Sequence, residues 1–410
     1  MLKRLFKSTF LFAFIGILSC GNQNKKEQSS EEIAINNQDE TAVKDIILAA
    51  NRTEAYLPML KGKRVGIVGN QTSIMKNEAG EFTHVVDSLL ALEVNLVKGF
   101  APEHGFRGTA DAGEAVDDGK DAQTGLPVIS LYGDNKKPKA AQLKDLDVLI
   151  FDLQDVGTRF YTYISSLHYV MEACAENDVQ LIVFDRPNPN GHYIDGPILE
   201  TEFKSFVGMH PIPTVHGLTM GEYAKMINGE KWLKDGIQCD LEVIEMENYD
   251  HSKAYDLPVK PSPNLPNAQA INLYPSLCFF EGTNVNAGRG TDKQFQVFGS
   301  PFLDKNYFDF TYTPESKPGA KSPKHLGKEC YGRDLSEIAR VDQINLGWLI
   351  EAYENTANKD EFFNAFFTKL AGTKELQTQI EAGLSAEEIR NSWQQGLENF
   401  EVNRKQYLVY

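Results

Sequence analysis

The chain has 410 residues, of which 41% are hydrophobic, 10% aromatic and 24% charged. These globular proportions exclude a collagen-like, coiled-coil or wholly disordered protein, and the length favours two domains over one. Lys and Arg number 41 against 57 Asp and Glu, a formal charge of −16 that argues against a nucleic acid partner, because phosphate binding needs clustered cations.

At the N-terminus, Lys3, Arg4 and Lys7 precede an apolar run from Phe10 to Leu18 that is too short to span a bilayer. The run closes on Ile17-Leu18-Ser19-Cys20, which resembles the lipobox of bacterial lipoproteins. Residues 1–20 are therefore expected to be a lipoprotein signal peptide with Cys20 as the lipidated residue. That places the protein in the bacterial cell envelope, anchored to a membrane and either periplasmic or surface-exposed. Residues 21–42 are polar and aperiodic, as a disordered tether would be. The other cysteines, Cys174, Cys239, Cys278 and Cys330, form no CxxC pair. They read as buried apolar residues, with disulfides neither required nor excluded.

From residue 43 the pattern turns periodic. Short apolar runs at 64–69, 94–100, 128–132, 147–153 and 180–185 read as buried strands. Ile164, Leu167, Met171 and Cys174 recur at steps of three and four, as on a helix. This alternation predicts a parallel sheet covered on both faces, a Rossmann-like α/β domain over 43–234. Neither G-x-G-x-x-G nor a Walker A sequence occurs, so a nucleotide lacks its phosphate loop and no cofactor is expected. Beyond it, a strand at 239–246 leads into Pro258, Pro261, Pro263 and Pro266, and a loop-rich stretch runs over 274–302. Helical patterns at 343–357 and 386–400 and a closing strand at 406–410 complete a smaller α+β domain over 235–410.

Ligands collect beyond the carboxyl ends of strands in such sheets, so the polar residues there carry the chemistry. Glu103 follows the second run and is either a carboxyl able to give a proton near neutrality, beside Phe106, or a partner for Arg107. After the fourth run, Asp152 and Asp155 are candidate second carboxylates or helix-start acids, and Arg159 could hold an anionic group. Asn188 and Asn190, in a loop stiffened by two X-Pro bonds, offer amides that suit sugar hydroxyls and acetamido groups, with turn formation as the competing account. Thr219 and Glu222 read as a capping box, and His216 before them as a loop hydrogen bond or a substrate contact. None of the eight histidines stands in H-E-x-x-H, and no metal is expected. The segment from Tyr274 to Phe295, with Glu281, Asn284, Asn286, Arg289 and Asp292, fits a saccharide cleft.

Taken in order, PEHGFRG (Pro102–Gly108), LPVISLYG (Leu126–Gly133), DVLIFDLQDVGTRFYTYISSL (Asp147–Leu167) and DRPNPNG (Asp185–Gly191) resemble the DUF1343 family of NamZ-type exo-β-N-acetylmuramidases. Pro211–Glu222, PSPNLP (Pro261–Pro266) and Tyr274–Pro301 extend the resemblance over about 55–410. It implies a Rossmann-like N-terminal domain, a smaller C-terminal domain and a cleft between them. It also implies an exo-acting glycoside hydrolase that releases terminal N-acetylmuramic acid (MurNAc) from the non-reducing end of peptidoglycan fragments, with Glu103 as general acid. The second catalytic group is expected to be Glu281, then Asp155, then Asp292. Carboxyl separation, roughly 5–5.5 Å for retention and roughly 6.5–9.5 Å for inversion, cannot be read from sequence. The side chains expected to hold the sugar are His104, Arg107, Arg159, Tyr163, Asn188, Asn190, His216, Asn284, Asn286, Arg289 and Asp292. Arg159 or Arg289 is expected to clamp the lactyl carboxylate of MurNAc. Two other readings stay open, a non-catalytic glycan-binding surface lipoprotein and a β-N-acetylglucosaminidase, which would have no lactyl group to match.

Overall fold

Strand formation follows the buried apolar runs, and in β1 (Val65–Gly69) and β7 (Val148–Asp152) every residue is buried. The computed structural model describes residues 44–103, 105–107 and 118–410, so Cys20 and His104 lie outside the described residues. The remaining strands are β2 (Ile74–Lys76), β3 (Phe82–His84), β4 (Leu96–Ala101), β5 (Gly119–Lys120), β6 (Pro127–Ser130), β8 (Gln180–Phe184) and β9 (Leu241–Ile244). Further along come β10 (Val297–Ser300), β11 (Phe310–Tyr312) and β12 (Cys330–Asp334), a separate antiparallel sheet in the order β10-β12-β11.

Seven strands form the main sheet in the order β5-β6-β4-β1-β7-β8-β9, and all pair in parallel except β5. The six parallel strands thus run third, second, first, fourth, fifth, sixth across the sheet. That is the doubly wound order of a Rossmann-like fold, in which a crevice opens where the strand order reverses. Here the reversal lies between β1 and β7.

Side chains alternate across the sheet, as strand geometry requires. Leu149, Phe151, Leu181 and Val183 pack with α4 (Tyr163–Glu176) and α5 (Met220–Gly229) on one face. Val148, Ile150, Ile182 and Phe184 pack on the other with α1 (Thr53–Leu60) and α2 (Val85–Ala91). The short α3 (Ala140–Leu143) leads into β7, and α6 (Ala268–Leu277) adds Ile271, Leu273 and Leu277 to the first core. The chain ends in α7 (Gly347–Glu354), α8 (Phe367–Ala371), α9 (Glu375–Glu381), α10 (Ala386–Ser392) and α11 (Gln394–Arg404). Asp45–Tyr410 packs as one compact unit.

Several expectations change. β9, read from sequence as part of the smaller second domain, pairs with β8 and edges the parallel sheet, past residue 235. Tyr274 lies within α6 rather than opening a loop. The pattern at 386–400 is two helices broken at Trp393. Residues 406–410 form no strand; the Val409 amide and the Tyr410 hydroxyl instead donate to Glu222 Oε1 and Asp185 Oδ2. The capping box is present, with Thr219 N–H donating to Glu222 Oε2 at 2.8 Å and Glu222 N–H to Thr219 Oγ1 at 3.3 Å. Cys174, Cys239, Cys278 and Cys330 are unpaired and buried. Among the described residues no helix is long and apolar enough to cross a membrane.

Candidate active site

The carboxyl ends of β1, β4, β6 and β7 converge on Glu103. β4 ends at Ala101, and the chain turns beyond it, with Gly105 N–H donating back to Pro102 O at 3.1 Å. Gly99 makes this turn possible from below. A Cβ there would lie 2.7 Å from the Phe106 ring, so only glycine lets Phe106 lie against the strand and draw the loop back over it. Arg107 pins the loop from the far side through bonds of 3.0 and 3.1 Å to Asp87 on α2, and of 2.6 and 2.8 Å to Asp121. Its hydrogen bonds hold the Asp121 carboxyl well below the usual carboxylate range. Arg107 therefore anchors the loop to two acids; it neither pairs with Glu103 nor keeps its fork open for substrate.

Glu103 is half-buried, and each carboxyl oxygen accepts a hydroxyl. Tyr132, just past β6, donates to Oε1 at 3.2 Å, and Thr162, the residue that precedes α4, donates to Oε2 at 3.0 Å. Burial, and then the Glu103 carboxyl beside it, push the Tyr132 phenol up to about 12, so it remains a protonated donor at neutral pH. Tyr163 at the start of α4 donates to the Glu103 carbonyl at 3.3 Å, and accepts from Asn70 Nδ2, just past β1, at 2.6 Å. A carboxyl held this way at a helix N-terminus beside the topological reversal has a fixed orientation and solvent on one side. Tyr132, Thr162 and Asn70 were missed by the sequence reading. Asn70 and Tyr132 stand just beyond the carboxyl ends of β1 and β6, the positions where ligands collect in such sheets.

Asp155 lies three residues past β7 and is nearly fully buried. Its Oδ2 accepts Gly157 N–H at 2.7 Å and lies 3.7 Å from His216 Nε2, while Oδ1 has no hydrogen-bond partner. Leu218 N–H donates to His216 Nδ1 at 3.2 Å, which assigns the proton of a neutral ring to Nε2, facing Asp155. Burial, and then the nearby Glu103 charge, push the Tyr163 phenol up, with a smaller contribution from Asp155. Asp152 points into the core instead, paired with Arg186 at 2.6 and 2.9 Å. It is structural.

The other expected site residues divide sharply. Arg159 is fully buried, and its terminal nitrogens donate to four carbonyls, those of Pro197, Ile212, Leu370 and Ala371, at 2.6–3.0 Å. It cannot clamp a ligand carboxylate, because those donors are already engaged. Asn188 donates to Leu218 O and accepts Asn190 N–H, and Asn190 donates to Val156 O and Ile271 O. Gly157, at φ +75°, leaves the space for the Asn188 amide, which would lie 2.2 Å from a Cβ. The two amides thus build the loop rather than face a sugar. Asn286 is likewise buried, donating to Arg289 O and Lys324 O and accepting from Tyr312. Asp292 is exposed and pairs with Lys317 at 2.6 Å, a surface contact with no desolvated environment for catalysis. Asn284 is half-buried; its backbone binds Phe362, Ser300 and His325, and its Oδ1 has no partner.

Glu281 and Arg289 form their own cluster. Arg289 Nε donates to Glu281 Oε1 at 2.9 Å, and the guanidinium carbon lies 5.1 Å from the centre of the Phe295 ring. Neighbouring Lys324 donates to the carbonyls of Phe280, Thr283 and Val285. Glu281, expected as the leading second carboxylate, is the partner that fixes the Arg289 plane.

Residues 65–269 match the family model described as exo-β-N-acetylmuramidase NamZ, N-terminal, and residues 272–410 match its C-terminal counterpart. The chain is 41% identical over 378 residues to the peptidoglycan β-N-acetylmuramidase NamZ of Bacillus subtilis (strain 168), covering 87% of this chain and 89% of that protein. A crystal structure of a DUF1343 family protein from Bacteroides fragilis NCTC 9343 is 47% identical with a TM-score of 0.83, over 90% of this chain and 99% of that one. A second DUF1343 structure from the same organism is 29% identical with a TM-score of 0.73, over 89% and 99%.

Proposed function

The chain belongs to the NamZ family of exo-β-N-acetylmuramidases, and from that premise we propose that it is an exo-acting glycoside hydrolase that removes MurNAc from the non-reducing end of peptidoglycan fragments. The observation that carries the reading is Glu103, half-buried at the carboxyl end of β4 with each oxygen oriented by a hydroxyl. In its protonated form that carboxyl gives a proton to the glycosidic oxygen as the bond to C1 breaks. Asp155 is the second carboxyl group, its Oδ2 held by Gly157 N–H at 2.7 Å with His216 Nε2 3.7 Å away. It stabilises the positive charge that develops at C1. The expected result is release of free MurNAc from a MurNAc–GlcNAc disaccharide, with a GlcNAc–MurNAc disaccharide left intact. Cleavage of both disaccharides, or of GlcNAc–MurNAc alone, contradicts the reading, and binding without turnover makes the protein a glycan-binding module.

The same proposal holds the enzyme at a membrane of the cell envelope through lipid on Cys20. Metabolic labelling with palmitate is expected to mark the protein, and Cys20→Ala to abolish the label. Label that survives this substitution rules out Cys20 as the anchor.

A further inference from the structure

Four arginines lie in the loops that surround the strand ends, and their fates differ. Arg107 is bonded to two carboxylates, Arg159 to four carbonyls, and Arg186 to Asp152 and the Ile74 carbonyl. Arg289 alone of these four has an open edge. Its Nε is held by Glu281, its plane is backed by Phe295, and its side chain is 27% exposed. Its two terminal nitrogens reach solvent and make no hydrogen bond among the described residues. The backbone beneath is also fixed, since Asn286 Nδ2 donates to the Arg289 carbonyl at 3.1 Å. Two parallel N–H donors on a held plane are the complement of a carboxylate, whose two oxygens lie at matching spacing. Lys324, the cation beside it, adds positive potential but keeps its donors on backbone carbonyls.

A row of buried rings joins this fork to the proposed acid. Phe295 meets Tyr274 edge-on at 4.9 Å, Tyr274 meets Tyr161 at 6.1 Å, and Tyr161 meets Tyr163 at 4.9 Å. Tyr163 then donates to the Glu103 carbonyl. Tight packing of aromatic rings moves little, so the fork and the carboxyl hold fixed positions relative to one another.

We propose that Arg289 is the specificity residue for an acidic sugar: its terminal nitrogens bind the free lactyl carboxylate of MurNAc, and Glu281 is the positioning residue that holds the guanidinium plane. This rests on the hydrolase reading for its kinetic form, but the binding itself is testable without turnover. A neutral sugar leaves the fork solvated, so the selectivity is for the charge and not for the bulk of the lactyl group.

The test compares wild type with Arg289→Gln and Arg289→Lys on 4-nitrophenyl β-glycosides of MurNAc, of its lactyl carboxamide and of GlcNAc. Arg289→Gln is expected to lower kcat/KM about 10- to 100-fold on MurNAc, the range for a charge-assisted bidentate contact, and less than about threefold on the two neutral sugars. Arg289→Lys, which keeps the charge without the fork, falls between. The ratio of acidic to neutral substrate within one preparation is insensitive to partial misfolding. An unchanged ratio in Arg289→Gln, or equal losses on all three glycosides, overturns the assignment. Where wild type hydrolyses none of them, the hydrolase reading fails and calorimetric binding of free MurNAc against free GlcNAc decides Arg289. A MurNAc preference that vanishes in Arg289→Gln supports it, and a preference that persists, or none in wild type, overturns it.

Discussion

Glu103→Gln is expected to lower kcat on a MurNAc–GlcNAc disaccharide by roughly a thousandfold, within the range for loss of a general acid. The glutamine has nearly the same volume, so the contacts with Tyr132 and Thr162 survive and KM changes little. The leaving group makes the prediction specific. A sugar alkoxide must be protonated as it departs, whereas 4-nitrophenolate departs readily without a proton. The loss is therefore expected to be at least tenfold smaller on 4-nitrophenyl β-MurNAc, because less of that transition state's stabilisation comes from the proton. Near-normal turnover of the disaccharide by Glu103→Gln removes Glu103 from catalysis. Equal losses on both substrates would falsify proton donation and leave Glu103 a positioning role.

Arg159→Met is expected to produce the largest loss of stability and no loss of sugar selectivity. The Arg159 guanidinium is enclosed without a carboxylate, and burial pulls it down to about 9, still protonated at neutral pH. Its bonds join the loops at Pro197 and Ile212 to Leu370 and Ala371 at the end of α8. Methionine fills much of the volume but leaves buried carbonyls without donors, at a cost of about 3–5 kcal/mol. For a chain of this size that lowers Tm by roughly 4–6 °C in a calorimetric scan. Lysine is not expected to rescue it, because one ammonium cannot serve acceptors arranged around a planar fork. An unchanged Tm, or a collapse of the MurNAc-to-GlcNAc ratio at full stability, would return Arg159 to the substrate site.

The contrast between Arg159 and Arg289 shows where sequence reasoning stopped. Both stand in polar, glycine-bearing loops, and either could have met the lactyl group. One finds its acceptors in a helix more than two hundred residues away. The other meets a glutamate eight residues back and keeps its far edge open. Asn188 and Asn190 had the amides a sugar needs, but the second X-Pro turn folded them inward onto Val156, Leu218 and Ile271. Tyr132 was legible by the strand-end rule; Thr162 was not, because its role depends on α4 starting beside β4.

What the sequence determined by itself was local and periodic. Runs of β-branched and aliphatic residues set the strands, their spacing set the doubly wound sheet, and the polar residue beyond β4 gave Glu103 its place. Glycine at 99 and Arg107 further along already encoded the turn that presents it. Tertiary structure decided which charged and amide groups remained available to a ligand. A buried donor bonds to whatever acceptor the fold brings within about 3 Å, wherever that acceptor lies in the chain, and no local pattern records the choice.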